Sequence, residues 1–238
     1  MTGVRSPRLR RVYIAYGNPG RGICPGDWHV FSQAHWMTRQ LTMHITLRHT
    51  LDAIARMSST RTNYWAEFVV DTTVGTLLLT AGVHYYTGSM LEAIAAVALG
   101  LFIFSFLEYF FHRWIFHTHI PLFEEGHRMH HEHPLGYDSL PFFLPAAVLI
   151  ALTGLLSVAI PTGFALLLMS AVTFGYLTYG LSHFAIHHVR FKQPWLRRWA
   201  GAHHIHHFHP ETNYGVTTLL WDVLLGTRYV RQPRPPQK

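Results

Sequence analysis

The chain alternates long apolar runs with short polar connections, on a scale that suits helices crossing a bilayer. Four runs stand out. Residues 69–88 are the most polar, interrupted by Asp71 and His84, while residues 90–111 are apolar apart from Glu92 and Glu108 near their ends. Residues 140–160 hold no charged side chain and no histidine over 21 positions. At about 1.5 Å per residue that is enough to cross about 30 Å of hydrocarbon. Pro161-Thr-Gly163 then turns the chain and residues 164–179 return. The pattern predicts an all-α fold, an integral membrane four-helix bundle with a histidine-rich helical cap.

Charge supplies the orientation. Nine of the 19 Lys and Arg precede position 69, two lie between residues 111 and 140, and eight follow His188. None falls near Gly88 or at Pro161, so under these spans all lie on one face, which the positive-inside rule makes cytoplasmic. The expectation is a multi-pass protein of a bacterial inner membrane or the endoplasmic reticulum, its cap on the cytoplasmic side. An anionic leaflet suits the net charge of +7. No basic run is interleaved with aromatics, and nucleic acid is not an expected partner. Only 13% of residues are charged, against about 25% in ordinary soluble domains. Cys24 is the single cysteine, which excludes an internal disulfide and a cysteine-based zinc site.

Residues 1–56 differ from the rest. They carry eight Arg, only Asp27 and Asp52 as acids, and no sustained periodicity. They read as a targeting segment, a disordered arm, or sequence upstream of the true start; Met57, opening Met-Ser-Ser-Thr-Arg-Thr-Asn-Tyr-Trp, favours the last. Residues 57–230 form the expected membrane domain and residues 231–238 a basic, Pro-rich tail.

Histidine points to the chemistry. Of 20 histidines, 15 lie after residue 110. His112 and His117 form H-x4-H; His127, His130 and His131 form H-x2-H-H; His183 and His187 form H-x3-H; His203, His206 and His207 form a second H-x2-H-H. Helical positions i, i+3 and i+4 fall within an arc of about 100°, so each H-x2-H-H presents three imidazoles from one face. His112 and His117 are about 140° apart on an α-helix, which predicts that they serve different metals or straddle a helix end. If residues 140–179 leave and return, the segments after the second and fourth runs share one face. Ten histidines then converge, enough to ligate two metals. His84 reads as a hydrogen-bonded core residue, and His29, His35, His44 and His49 show no such spacing.

Imidazole suits Zn, Cu, Fe and Ni alike. H-E-x-x-H is absent, since Glu132 is followed by His133 and Pro134, so a zinc protease of that type is unsupported. Non-haem iron has an evident use in a membrane: two ferrous ions can reduce O2 to an oxidant able to attack an unactivated C–H bond, and a lipid chain offers little else. A metal transporter would also gather histidines, yet it should carry ionisable residues near the bilayer midplane, and the third run has none.

With the four boxes in place, two further stretches carry a resemblance: Phe-Gly-Tyr-Leu-Thr-Tyr-Gly-Leu-Ser-His183-Phe-Ala-Ile-His187-His, and Asn213-Tyr-Gly-Val-Thr-Thr-Leu-Leu-Trp-Asp222-Val-Leu-Leu-Gly-Thr227. The sequence resembles the fatty acid hydroxylase/sterol desaturase superfamily over roughly residues 65–230. It is most similar to the fatty acid 2-hydroxylase branch, whose acid-and-proline segment Asp138-Ser-Leu-Pro-Phe-Phe-Leu-Pro145 is similar to. The resemblance implies a membrane-bound di-iron oxygenase that hydroxylates a fatty acid, a sphingolipid acyl chain or a sterol-like lipid with O2 and two electrons. Carried over by position, the ligands of the two iron ions are His112, His117, His127, His130, His131, His183, His187, His203, His206 and His207. Zinc can occupy such a site in purified protein.

Departures from the family refine the expectation. No cytochrome b5-like stretch precedes the membrane part, so the implied electron donor is a separate protein, such as cytochrome b5 or ferredoxin with its reductase. The first two boxes are only nine residues apart, and Gly180 stands where the 2-hydroxylases tend to carry an acid. Carotenoid hydroxylase and lipid desaturase therefore stand as alternatives. Glu108, Glu132, Asp138 and Asp222 are candidates to accept the second N–H of ligating histidines, or else are structural carboxylates. Trp195 and Trp199, beside Arg197 and Arg198, read as an interfacial anchor or as core packing.

Overall fold

The computed structural model describes residues 53–54, 56–117, 121–137 and 139–231, within the compact unit Asp52–Lys238. Expectations for residues 1–52, for Asp138 and for residues 232–238 lie outside the described residues. The regular elements described are helical: α1 (Arg61–Tyr85), α2 (Met90–Phe110) continuing into a π-helical turn (Phe111–Phe116), α3 (Pro121–Glu132), α4 (Leu144–Ala159), α5 (Thr162–His188), α6 (Pro194–Phe208) and α7 (Leu220–Leu224).

Local signals set the boundaries. Thr60 caps α1, its hydroxyl accepting from the Asn63 N–H at 3.2 Å. Ser89 and Glu92 close a reciprocal capping box at the start of α2, so Glu92 is a helix-start residue and not a break in the apolar run. Pro145 lies in the first turn of α4, where its missing N–H has no intrahelical partner to lose.

Helix α5 is the spine, packing against α1, α2 and α4. Small residues let the backbones approach. A Cβ on Gly75 of α1 would lie 3.2 Å from Thr173, and one on Gly82 would lie 3.0 Å from Leu167, so α1 and α5 run antiparallel. A Cβ on Gly100 of α2 would lie 2.3 Å from the Leu168 carbonyl, while Gly175 of α5 abuts Phe104, so α2 and α5 run parallel. Ala96, Phe104, Leu149, Leu167, Leu168, Met169 and Val172 form the core between them. Because α2 and α5 are parallel, His112 and His117 emerge at the same end as His183 and His187. The outer surface stays apolar, with Val69, Leu77, Leu91 and Val158 exposed. Such a surface suits hydrocarbon and not water. The protein is a membrane protein.

The spans differ from the sequence-based expectation in three ways. Among the described residues, three helical segments are long and apolar enough to cross a bilayer: Arg61–Tyr85, Met90–Phe116 and Thr162–His188. The third predicted run is shorter than expected, because α4 has 16 residues and begins only at Leu144. Pro141 and Pro145 cause this: the chain turns at Pro141, whose carbonyl accepts from the Leu144 N–H at 2.8 Å. Helix α1 starts eight residues before the predicted run, since Glu67 and Asp71, which depress its hydropathy, are turned inward and buried. Finally, His84 is an exposed residue at the end of α1, not a core histidine.

Gly100→Ala should be destabilising by about 1–3 kcal/mol, because its methyl group meets a backbone carbonyl that cannot retreat. A lowered midpoint of thermal unfolding in detergent measures this. Gly154→Ala, whose Cβ meets nothing within 4 Å, should leave the midpoint unchanged or raise it slightly.

Candidate metal centre

Three elements at one end of α5 supply the imidazoles beside its own. Helix α3 carries His127, His130 and His131, α6 carries His203, His206 and His207, and the π-helical turn carries His112 with His117 at its end. The π-helical i→i+5 repeat brings residues five apart to about the same face. The His112 and His117 rings accordingly stack, with centroids 5.3 Å apart and planes 22° apart. They straddle the end of the turn, the second of the two arrangements predicted, and lie in the same group.

The ten histidines assemble into two groups of five. His112, His117, His127, His131 and His206 form one, and His130, His183, His187, His203 and His207 form the other, with the ligand atoms of each group within 4.8 Å of one another. In the first, the His127 Nε2 lies 3.1 Å from that of His112 and 3.0 Å from those of His117 and His131, while His117 and His206 are 3.1 Å apart. In the second, the spacings are 3.1 Å for His203 to His187 and 3.2 Å for His207 to both His203 and His130. Each H-x2-H-H is divided: its i and i+4 members serve one group and the remaining member serves the other.

The donor set fits metal ions. Nitrogens at about 2.1 Å from a shared ion and at right angles are about 3 Å apart. The back of the ring is fixed where the Nδ1 atoms meet carbonyls: His112 with Tyr214 O at 2.5 Å and His206 with Thr212 O at 2.7 Å. Donating Nδ1–H there leaves the Nε2 lone pair aimed inward. Burial, reinforced by neighbouring imidazoles, lowers the His117 pKa to about 4 and that of His207 to about 3. That of His206 is lowered to about 3 by burial, against the opposing bond to Thr212. His127, His130, His131 and His203 are lowered as well, chiefly by burial. Neutral imidazoles are the form in which histidine ligates a transition-metal ion.

A clamped loop supports the first group. The buried Glu108 accepts from the backbone N–H groups of Val216 at 2.5 Å and Thr217 at 2.9 Å, and from the Thr217 hydroxyl. Asp222 accepts from the N–H groups of Tyr214 and Gly215, both at 2.8 Å, and from the Thr227 hydroxyl at 2.7 Å. The carboxylates therefore grip the loop whose carbonyls hold His112 and His206, which is the structural one of the two roles expected of them. Asn213 adopts a left-handed φ of 53° and ties the loop to the Ala202 carbonyl and the Tyr229 N–H. Gly215 is obligatory, since a Cβ would lie 1.9 Å from the Thr218 carbonyl. Glu132 instead pairs with Arg128 on the surface, and Trp199 donates to the Val216 carbonyl at 2.8 Å while Trp195 is exposed. The loop carbonyls were not singled out from sequence; the Asn213–Thr227 pattern was their signal.

Residues 97–227 match the family described as Fatty acid hydroxylase. The chain belongs to that family. The matched stretch contains all ten histidines, Glu108 and Asp222. Among relatives, the chain is 32% identical over 142 residues to the dihydroceramide fatty acyl 2-hydroxylase FAH2 of Arabidopsis thaliana, covering 55% of this chain and 59% of that one. It is 30% identical over 150 residues to a fatty acid 2-hydroxylase of Macaca fascicularis, covering 57% and 40%. The chain spans between about two fifths and three fifths of the length of these relatives. A solved structure, full-length scs7p with only the hydroxylase domain visible, superposes with a TM-score of 0.63 at 24% identity, over 77% of this chain and 72% of that one. It has the same fold.

Asp222→Asn should loosen the loop and lower metal affinity about 10–100-fold, read by metal titration of the purified protein. Acid should destabilise the metal-free protein. The unfolded histidines take up protons below about pH 6.5, whereas folded His117, His206 and His207 resist until about 4, 3 and 3. The unfolded state thus binds more protons in this window, so stability falls as pH drops from about 6.5 towards 4. Unfolding midpoints against pH, with and without metal, test it.

Proposed function

We propose that the protein is a membrane-bound di-metal oxygenase, nominally di-iron, that hydroxylates an unactivated C–H of a lipid acyl chain with O2 and two electrons. The observation that carries the reading is the sorting of ten buried or half-buried imidazoles into two facing groups at the end of membrane-length helices. One ion would be held by His112, His117, His127, His131 and His206, and the other by His130, His183, His187, His203 and His207. Iron bound there supplies the reduction of O2 and the oxidation of the C–H bond.

The chain's own residues do the rest. The Tyr214 and Thr212 carbonyls hold ring orientation, and Glu108 and Asp222 hold those carbonyls. Burial of His112, His203 and His206 keeps water from the inner ligands. The names of the relatives, dihydroceramide fatty acyl and fatty acid 2-hydroxylases, favour an acyl lipid over a carotenoid. The electron donor is a separate carrier of the cytochrome b5 or ferredoxin type. In this reading α4 completes a four-helix membrane bundle and the histidine cap is cytoplasmic. Metal transport is a weaker reading, because Glu67 and Asp71, the buried carboxylates of α1, belong to neither histidine group.

His187→Ala and His207→Ala should each lower bound iron and abolish lipid hydroxylation. His188 stacks on Phe184 with centroids 4.2 Å apart, and His204 approaches the Ile186 carbonyl at 3.2 Å. Their alanine variants should retain metal and much of the activity. Iron content and hydroxylated lipid per folded protein give the comparison; full turnover in His187→Ala would refute the assignment. For topology, cysteine at Ser89 should be labelled from the side opposite to cysteine at Gly201. Labelling of both from one side would remove the cytoplasmic cap.

A further inference from the structure

Two acids inside the membrane-length part of the chain take no part in the histidine groups. Glu67 and Asp71 lie one turn apart on α1, 7% and 0% exposed. Both carboxylate oxygens of Asp71 are buried without a hydrogen-bond partner. Charged, Asp71 would be an uncompensated ion in an apolar span; protonated, it is a neutral hydrogen-bonding group. Packing alone would be served at least as well by an apolar side chain of the same volume. Helix α1 lies outside the family-matched residues 97–227.

The pair is connected in two directions. Outward, Asn63 lies one turn before Glu67 on α1 and, like it, is buried. Ser139 accepts from the Asn63 side chain at 2.9 Å and reaches the Ser58 carbonyl at 3.5 Å, on a half-exposed stretch of chain. Inward, the Tyr176 hydroxyl on α5 donates to Glu67 at 2.5 Å. The Tyr176 ring lies parallel to that of Tyr179 at 6.5 Å, and Tyr179 stacks on His183 at 5.8 Å with planes 7° apart. Tyr64, Tyr176 and Tyr179 are the other titratable groups that interact with Glu67, and Tyr176 interacts with Asp71 as well. Polar groups thus extend from the surface to Tyr176, and the stacked ring of Tyr179 lies between Tyr176 and His183 of the second histidine group.

We propose that Glu67 and Asp71 form a proton-transfer site within the membrane, loaded from the surface through Ser139 and Asn63 and discharging past Tyr176 towards the second histidine group. This rests on the oxygenase reading, because hydroxylation consumes protons: RH + O2 + 2 e⁻ + 2 H⁺ gives ROH + H2O. The electrons come from the separate carrier. Each proton leaving the pair is replaced from water at the surface, so the carboxyls end each cycle as they began and no bond between heavy atoms changes within the pair.

Two measurements test the site on the full chain in lipid vesicles. The first is the infrared carbonyl band of protonated carboxylic acids, followed after transfer to D2O. The wild type should show a band that is lost in Asp71→Asn and altered in Glu67→Gln, and that exchanges more slowly in Ser139→Ala. The second is product formed per O2 consumed by the iron-loaded enzyme, with hydrogen peroxide release. Glu67→Gln and Asp71→Asn should keep their iron yet turn over about 10²-fold more slowly, with more O2 lost to peroxide. Glu67→Asp, which keeps a carboxyl, should restore much of the coupling and so separates proton transfer from a folding defect. Unchanged coupling and rate in both amide variants would make the carboxyls structural. If the wild type hydroxylates no lipid, the oxygenase reading fails by itself. The infrared arm still decides the site, since a missing protonated band, or one that never exchanges, overturns it.

Discussion

Ten imidazoles can crowd into two clusters only if they are neutral, and the rest of the structure follows from that constraint. Protonated, neighbouring rings with Nε2 atoms about 3 Å apart would repel one another strongly in a medium of low dielectric. Burial removes the protons, as the lowered values of His117, His206 and His207 record. Neutrality alone does not aim a lone pair, however. The Tyr214 and Thr212 carbonyls do that for His112 and His206, and the loop that bears them is held by Glu108 and Asp222 through backbone N–H groups. The carboxylates act through the main chain, which orients a carbonyl more rigidly than a free side chain could orient itself.

The helices serve the same end. Parallel packing of α2 and α5, with Gly100 against the Leu168 carbonyl and Gly175 against Phe104, delivers two pairs of histidines to one end of the spine. Antiparallel packing of α1 hides Glu67 and Asp71 from hydrocarbon and turns them towards α5. The buried acids of the described residues lie either at the histidine end, as Glu108 and Asp222 do, or on α1, as Glu67 and Asp71 do. The remaining surface is left apolar for lipid.

Much of this was legible in the amino-acid sequence. Apolar runs of membrane length, basic residues confined to alternate connections and histidines at three- and four-residue spacing together pointed to helices and to a histidine-rich end. Eight of the ten histidines sit at three- or four-residue spacing, and such positions share a helix face whatever the tertiary context. The Asn213–Thr227 stretch carried its own mark in Gly215 and Asp222, although their task was not legible.

What spacing could not convey is how the faces meet. The division of each H-x2-H-H between two groups, and the joining of His112 with His117, depend on the approach of α3 and α6 to α5 and on a π-helical turn that no hydropathy pattern encodes. The shortened α4 and the early start of α1 have a similar origin. Prolines act on backbone geometry, and buried acids lower the hydropathy of a helix whose polar face another helix covers. Sequence determined which residues are present at which periodicity, since that is a property of one helix. The pairing of imidazoles, the carbonyls behind them and the burial of Asp71 were decided only by tertiary structure, because each is a relation between elements far apart along the chain.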